Sequence, residues 1–167
     1  MTFQAPEPLD AHHQCSNFSS GESALDKWLK QRALKSQRDG AARTYVVYSD
    51  QEVVGYFSLA VGSISHRQAI GKIRRNMPDP ILVMVLARLA VDQRWQGRGL
   101  GYSMLQSAVL KTLQAAEIAG IRAMTLHTIS PEARRFYQHF GFRESTFEPM
   151  TLIVTLRDLE VALLPQS

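Results

Sequence analysis

One continuous stretch of the chain limits the possible folds more than any other. Residues 81–91 form an apolar run rich in β-branched and aliphatic side chains, shorter than the roughly 18 residues that a membrane span needs. Gly97, Gly99 and Gly101 follow, and from Leu100 onward the apolar side chains recur at helical spacing. The stretch therefore predicts a strand, a glycine loop and a helix in succession, an arrangement typical of α/β folds.

The glycine loop is suited to binding phosphate. A backbone without Cβ atoms approaches a ligand closely and exposes consecutive N–H groups, and the first turn of a helix adds unpaired donors and partial positive charge. The loop lacks the Gly-Lys-Ser/Thr ending of a Walker loop, and its glycine spacing differs from the Gly-x-Gly-x-x-Gly of dinucleotide-binding folds. A tight turn without a ligand is the alternative that the glycines alone leave open.

The rest of the chain alternates between helical and strand patterns. Strands are predicted at 44–48, 53–64, 123–127 and 150–155, in addition to 81–91. Helices are predicted from a capping box at Ser19-Ser20-Gly21-Glu22 to Asp39-Gly40, from Leu100 to about Ala119, and from Ser130-Pro131 to Gly141. Residues 156–164 form a short helix or a tail. We expect a central mixed β-sheet with helices on both faces.

Length and composition indicate one globular domain covering residues 1–167. The single Cys15 excludes an internal disulfide framework, and no Cys/His cluster has metal-site spacing, so no metal is expected. We recognise neither a signal peptide nor a membrane span, which places the protein in the cytoplasm by default. The net charge is +4, and basic residues concentrate at 27–43 and 66–75. Such clusters suit nucleic acid, although solvated surfaces explain them equally well.

Gln96, Gly99 and Gly101 fill the pattern Gln/Arg-x-x-Gly-x-Gly/Ala after the long strand. This motif resembles the pyrophosphate loop of the GNAT acyl-CoA N-acetyltransferase superfamily, and the strand before it and the helix after it strengthen the resemblance. The resemblance implies the acyl-CoA N-acyltransferase fold, with acetyl-CoA as the acetyl donor. The residues that it implies for cofactor binding are Leu89, Ala90, Val91, Gln96, Gly97, Arg98, Gly99, Leu100, Gly101 and Phe136.

Tyr137 is the catalytic residue that the same resemblance implies. The sequence Phe136-Tyr137-x-x-x-Gly141-Phe142 is similar to the family pattern in which this tyrosine lies near the sulfur of CoA. When an amine attacks a thioester a thiolate leaves, and a phenol within hydrogen-bond reach can stabilise and protonate that sulfur as a general acid. Tyr137 also belongs to an ordinary apolar helix face, so core packing is the alternative interpretation.

The long apolar run contains no carboxylate, and Arg88 is its only charged residue. Many members of the superfamily carry a glutamate on this strand that removes the proton of the amine through water. A lysine amine has a pKa of about 10.4 and is almost fully protonated at neutral pH, whereas an α-amine has a pKa of about 7.7–8.0. The absence of a carboxylate base therefore favours an α-amine acceptor. Water, His127 or a residue from elsewhere in the chain are alternative bases.

Further motifs extend the resemblance over nearly the whole chain: Phe18-x-x-Gly21, Leu25-Asp26-x-Trp28-Leu29, Leu86 to Val91, and Arg134-Arg135 before Phe136. Together they are similar to the acetyltransferase toxins of bacterial toxin–antitoxin modules. The similarity implies a toxin that acetylates the α-amine of aminoacyl-tRNA and so inhibits translation. It also implies a ribbon-helix-helix antitoxin, a toxin–antitoxin complex that binds operator DNA, and a homodimer. Candidate contacts to tRNA phosphates are Lys27, Lys30, Lys35, Arg74 and Arg75.

Two other functions are compatible with the sequence. One is an acetyltransferase acting on a protein N-terminus, a lysine or a small amine. The other is a non-catalytic regulator that binds acyl-CoA or nucleic acid. Fold alone does not choose among them, because unrelated functions share one fold.

Overall fold

The computed structural model describes residues 3–65, 78–145, 148 and 150–164. In this part of the chain, seven strands are formed: β1 Glu7–Pro8, β2 Arg43–Ser49, β3 Glu52–Ile64, β4 Ile81–Val91, β5 Ala123–His127, β6 Arg143–Glu144 and β7 Thr151–Thr155. The α-helices there are α1 Ser23–Gln31, α2 Ala33–Arg38, α3 Leu100–Ala119, α4 Pro131–Gln138 and α5 Leu156–Leu163. A 3-10 turn, Gln93–Trp95, connects β4 to the glycine loop.

The strands form one mixed sheet in the order β1-β2-β3-β4-β5-β7-β6. The pairs β1–β2, β2–β3, β5–β7 and β6–β7 are antiparallel, whereas β4 and β5 are parallel. A parallel pair needs a crossover, and α3 lies in the connection between β4 and β5. The α/β fold with a central mixed β-sheet, predicted from the sequence, is confirmed.

The chain divides into two compact units, and the first comprises Met1–Ala60 and Ala87–Ala108. Apolar side chains of α1 and α2 pack there against β2, β3 and β4, because the helical spacing places them on one face. Each aliphatic side chain removed from water in this way contributes about 1.5–3 kcal/mol. The buried cluster consists of Leu9, Phe18, Leu29, Ala33, Val46, Val53, Tyr56 and Ala90.

Gly55 in β3 sets how closely α3 approaches the sheet of the first unit. A Cβ atom at this position would lie 3.0 Å from the Sδ of Met104 and 3.1 Å from the Cδ2 of Leu100. Both of those side chains are fully buried, so neither has room to yield without disturbing its neighbours. Because α3 begins immediately after the glycine loop, this contact also positions the loop.

The second unit comprises Val61–Leu86 and Val109–Ser167. The strand β5 is its centre, because it pairs in parallel with β4 and in antiparallel with β7. The side chains of β5 are buried from Ala123 to Leu126. Its apolar cluster consists of Ile81, Val83, Ala123 and Ile153.

The first helical region differs from the sequence prediction, which placed one helix from the capping box to Gly40. The structure has two helices, because Arg32 leaves helical geometry with φ −128° and ψ −25°. No side chain caps α1 through the expected box, and Ser20 instead bonds to Asp26. The Ser20 amide and hydroxyl donate to the Asp26 carboxylate at 3.0 and 2.7 Å. The acceptor Asp26 lies four residues beyond the predicted box, and the spacing of the box alone did not indicate it.

The predicted ends of α3 and the predicted start of α4 are confirmed, whereas α4 ends at Gln138 and not at the predicted Gly141. The Ser130 hydroxyl accepts a hydrogen bond from the Ala133 amide at 3.1 Å and caps α4, with Pro131 in its first turn. Gly120 after α3 and Gly141 after α4 have φ values of +70° and +94°, which residues with a Cβ rarely adopt. Among the described residues, no helix is both long and apolar enough to span a membrane.

Candidate active site

The glycine loop presents a row of free backbone donors. Gly97 and Gly99 have φ values of +78° and +84°, and a Cβ atom built at either position would meet no atom within 4 Å. Within the described part of the chain, none of the N–H groups from residue 97 to residue 101 donates a hydrogen bond. The loop therefore offers five consecutive amides at the start of α3, which is the arrangement that binds a diphosphate.

Gln96 holds this loop against its surroundings. Its side-chain amide donates to two carbonyl oxygens, those of Ser20 and Val91, both at 2.9 Å. One contact ties the loop to the segment before α1, and the other ties it to the last residue of β4. The position of Gln96 in the motif thus has a structural cause, since its side chain fixes the loop while the loop backbone remains free.

Asp92 stabilises the connection between β4 and the glycine loop. Its carboxylate is buried and accepts hydrogen bonds from the Ser19 amide at 3.1 Å and from the Arg94 amide and Nε, both at 2.9 Å. Burial alone would raise the pKa of Asp92, but the hydrogen bonds from Arg94 and Ser19 hold that pKa below its ordinary value. Asp92 is therefore ionised at neutral pH, and it joins β4, the 3-10 turn and the segment before α1.

The remaining residues expected to bind the cofactor lie around this loop or in the second unit. Ala90 is buried in the first unit's cluster, and Leu89 and Val91 are partly buried on either side of it. Arg98 is exposed, and its guanidinium carbon lies 4.9 Å from the centre of the Trp95 ring. A cation held in this way beside the free amides adds to the positive character of the loop.

Phe136 and Tyr137 lie on α4 in the second unit. Tyr137 is only 8% exposed, and its ring packs edge-on against Phe136 at 5.1 Å and Phe142 at 5.5 Å. Burial raises the pKa of Tyr137 above its ordinary value, so the phenol keeps its proton at neutral pH. A protonated, well-packed phenol can act as a hydrogen-bond or proton donor.

A second aromatic cluster in the first unit was not anticipated from the sequence. The guanidinium carbon of Arg88 lies 3.9 Å from the centre of the Trp28 ring, and Trp28 stacks on Tyr56 with ring centres 6.1 Å apart. The Tyr56 hydroxyl donates to the Leu25 carbonyl at 2.7 Å. The signal in the sequence was the lone charge of Arg88 within an apolar strand.

The basic residues expected to contact tRNA are only partly described. Lys27 and Lys30 are exposed on α1, one turn apart. Lys35 on α2 is also exposed, but it forms an ion pair with Asp39 at 2.6 Å. Arg74 and Arg75 lie outside the described residues. In the described part of the chain, no group of three or more His, Cys, Asp or Glu side chains could hold a metal ion.

Comparison with known proteins agrees with this geometry. Residues 40–144 match the acetyltransferase (GNAT) domain family. The tRNA-acetylating toxin of Mycobacterium tuberculosis is 44% identical over 156 residues, which cover 93% of this chain and 94% of that protein.

Two solved structures show the same fold. AtaT complexed with acetyl-methionyl-tRNAfMet superposes with a TM-score of 0.86 at 23% identity, covering 93% of this chain and 96% of that chain. A mutant AtaT toxin bound to the C-terminus of the antitoxin AtaR and acetyl-CoA gives a TM-score of 0.81 at 22% identity, covering 96% and 98%. The family match spans more than half of the sequence and includes the glycine loop, β4 and Tyr137, and the chain therefore belongs to the GNAT acetyltransferase family.

Proposed function

We propose that this protein is a toxin that transfers the acetyl group of acetyl-CoA to the α-amine of aminoacyl-tRNA and thereby inhibits translation. The observation that carries the proposal is the 44% identity, over 93% of the chain, to a tRNA-acetylating toxin. The free amides of the glycine loop and the buried phenol of Tyr137 supply groups that this chemistry uses. An N-acetylated aminoacyl-tRNA lacks the nucleophilic amine that peptide-bond formation needs.

The roles of the site residues follow from their chemistry. The amides at residues 97–101 bind the diphosphate of acetyl-CoA, which supplies an activated acetyl group. The amine nitrogen forms a bond to the thioester carbonyl carbon, the carbon–sulfur bond breaks, and the sulfur receives the proton of the Tyr137 phenol. The phenolate regains a proton from solvent, and the amine releases one. The backbone of Leu89, Ala90 and Val91 lines the acyl arm in this proposal.

The tRNA is held by charge in this proposal. Lys27 and Lys30 are exposed on one helix and have the geometry to contact phosphates. Lys35 would exchange its ion pair with Asp39 for a phosphate. Arg74 and Arg75 are proposed contacts on their sequence position alone.

The remaining features of the proposal concern assembly. We propose that residues 1–167 act as one domain in the cytoplasm, as a homodimer, and that a ribbon-helix-helix antitoxin neutralises the toxin. Support for an antitoxin comes from the AtaT structure that contains the C-terminus of AtaR. The proposal further holds that the toxin–antitoxin complex binds operator DNA.

Incubation with labelled acetyl-CoA and a panel of acceptors tests the function. The proposal predicts label in aminoacyl-tRNA, and none in deacylated tRNA, free amino acids or lysine-containing peptides. Label in a peptide N-terminus or lysine, with none in aminoacyl-tRNA, would favour an acetyltransferase for proteins. Binding of acetyl-CoA without transfer to any acceptor would favour a non-catalytic regulator.

A further inference from the structure

The segment immediately before α1 lies against the residues that lead into the glycine loop. The Ser19 amide donates to the Asp92 carboxylate at 3.1 Å, and the Ser19 carbonyl accepts from the Gln93 amide at 2.8 Å. The Ser20 carbonyl accepts from the side-chain amide of Gln96 at 2.9 Å. Two consecutive residues before α1 therefore bond to three residues of the connection between β4 and the loop.

Both ends of this segment are fixed in place. Phe18 is buried, and its ring packs edge-on against Tyr56 with ring centres 5.6 Å apart. Gly21 has a φ value of +98°, and a Cβ atom there would lie 3.0 Å from the Nε2 of Gln93. The motif Phe18-x-x-Gly21, to which the proposed chemistry gives no role, therefore sets the path of the segment between the core and the loop.

Asp26, in the first turn of α1, binds the same segment from the side of the helix. Its carboxylate accepts hydrogen bonds from the Ser20 amide at 3.0 Å and from the Ser20 hydroxyl at 2.7 Å. Both residues are half-buried. Hydrogen bonds to a carboxylate are roughly twice as strong as those between neutral groups. Because Asp26 holds both its amide and its hydroxyl, Ser20 has little freedom to move its carbonyl away from Gln96.

The glycine loop needs this support because its own backbone is weakly restrained. Gly97 and Gly99 lack Cβ atoms and adopt φ values of +78° and +84°. A flexible loop loses conformational entropy when it binds a ligand, and a loop already held in its bound conformation loses less. The hydrogen bonds of Gln96 lie immediately before these glycines, and one of them depends on the position of the Ser20 carbonyl.

We propose that Asp26 is a positioning residue for the acetyl donor, acting through Ser20 and Gln96 on the loop amides that bind the diphosphate. The inference rests on the proposed binding of acetyl-CoA at the glycine loop, and it adds a residue of α1 that need not touch the donor. Such a residue strengthens donor binding without taking part in acetyl transfer. Its loss therefore raises the Kd and the KM for acetyl-CoA and leaves kcat close to that of wild type.

Asp26→Ala removes both hydrogen bonds to Ser20. Calorimetry should show acetyl-CoA bound roughly two- to tenfold more weakly, the factor that a hydrogen bond typically contributes. At saturating acetyl-CoA and aminoacyl-tRNA, kcat should stay within about twofold of wild type. Asp26→Asn keeps an oxygen that can accept from Ser20 and should recover most of the affinity. Glu22→Ala is the matched control with wild-type affinity, because it removes one negative charge beside α1 from an exposed side chain that does not cap the helix.

A double-mutant cycle tests the route through Gln96. Gln96→Ala should weaken acetyl-CoA binding by itself, and adding Asp26→Ala should weaken it little further, because the link from Ser20 to the loop is already broken. If Asp26→Ala does not fold, Ser20→Ala replaces it in both measurements. That variant loses the hydroxyl and keeps the carbonyl, so its effect should have the same direction and a smaller size.

The outcomes separate this inference from the proposed function. Wild-type affinity for acetyl-CoA in the folded Asp26 variant would overturn the inference and leave the proposed function intact. Effects of Asp26→Ala and Gln96→Ala that multiply in the double variant, or a fall in kcat without a change in Kd, would overturn it likewise. A wild type that binds acetyl-CoA but transfers no acetyl group to aminoacyl-tRNA would overturn the proposed function and leave the role of Asp26 standing. A wild type without affinity for acetyl-CoA would overturn both.

Discussion

At the scale of single residues, the phenol of Tyr137 is the group on which the proposed chemistry depends most. Aromatic neighbours on α4 and after it hold the ring, and burial keeps the phenol protonated. A group that donates a proton only when the sulfur leaves acts on the transition state and contributes little to binding of the substrates. The effect of the phenol on turnover can therefore be measured separately from its effect on substrate binding.

Tyr137→Phe removes the hydroxyl and keeps the ring. We expect kcat to fall by about 10²–10⁴-fold, because the departing sulfur loses its proton donor, with acetyl-CoA affinity within a factor of a few of wild type. Steady-state rates and calorimetry measure the two quantities. Phe140→Leu, which alters the ring packed against Phe136, is a control for packing. Unchanged turnover in Tyr137→Phe would exclude the phenol as the acid.

Gly99→Ala tests whether the loop backbone binds the donor. The positive φ makes alanine strained by about 1 kcal/mol, and its Cβ would occupy the open space before the amides. We expect acetyl-CoA to bind at least about tenfold more weakly. Gly120→Ala has the same kind of strain and the same open surroundings at the far end of α3, so it should lose similar stability and keep its affinity. Equal affinities of Gly99→Ala and Gly120→Ala for acetyl-CoA would contradict the assignment of the loop backbone as the donor-binding site.

At the scale of secondary-structure elements, the site depends on how β4, the 3-10 turn and α3 are joined. Asp92 holds the turn, Gln96 holds the loop, and Gly55 lets the first turn of α3 pack on β3. None of these three residues needs to touch a substrate. They fix the position of the free amides at the start of α3.

Asp92→Asn weakens the hydrogen bonds that join β4, the 3-10 turn and the segment before α1. We expect a loss of about 2 kcal/mol in the free energy of unfolding near pH 7, because charge-assisted hydrogen bonds to a buried carboxylate are lost. The pKa of Asp92 is lowered by folding, so its contribution is complete above the ordinary carboxyl pKa and disappears as the pH falls through the lower folded value. Denaturant unfolding should therefore show the variant and wild type converging below about pH 4. If the difference in the free energy of unfolding between variant and wild type did not change with pH, the proposed role of the Asp92 carboxylate would be contradicted.

The sequence predicted the secondary-structure elements of the site better than the side-chain contacts that stabilise them. The strand at 81–91, the helix from Leu100 and the cap at Ser130 follow from local periodicity and capping chemistry, and the structure confirms them. The capping box predicted at residues 19–22 was wrong: no side chain caps α1, and Ser20 bonds to Asp26 instead. The stacking of Arg88 on Trp28 joins residues sixty positions apart, which no local pattern reveals.

At the scale of the whole molecule, the net charge of +4 favours association with a polyanion. Lys27 and Lys30 form the described part of the expected tRNA surface. Replacing both with alanine should weaken aminoacyl-tRNA binding uniformly across tRNA species and make its salt dependence shallower by roughly one to two units of the log–log slope. Arg122→Ala with Arg157→Ala changes the net charge equally at exposed positions of the second unit and should leave the slope unchanged. Equal slopes for the two double variants would remove the two lysines from the tRNA surface.

The central claim concerns where the acetyl group ends up. Aminoacyl-tRNA should be incubated with the protein and acetyl-CoA, digested with nuclease, and the released aminoacyl-adenosine analysed by tandem mass spectrometry. We predict one added acetyl group on the α-nitrogen of the amino acid, formed by the wild type and almost absent with Tyr137→Phe. An unmodified aminoacyl-adenosine, or an acetyl group on the nucleotide, would contradict the account.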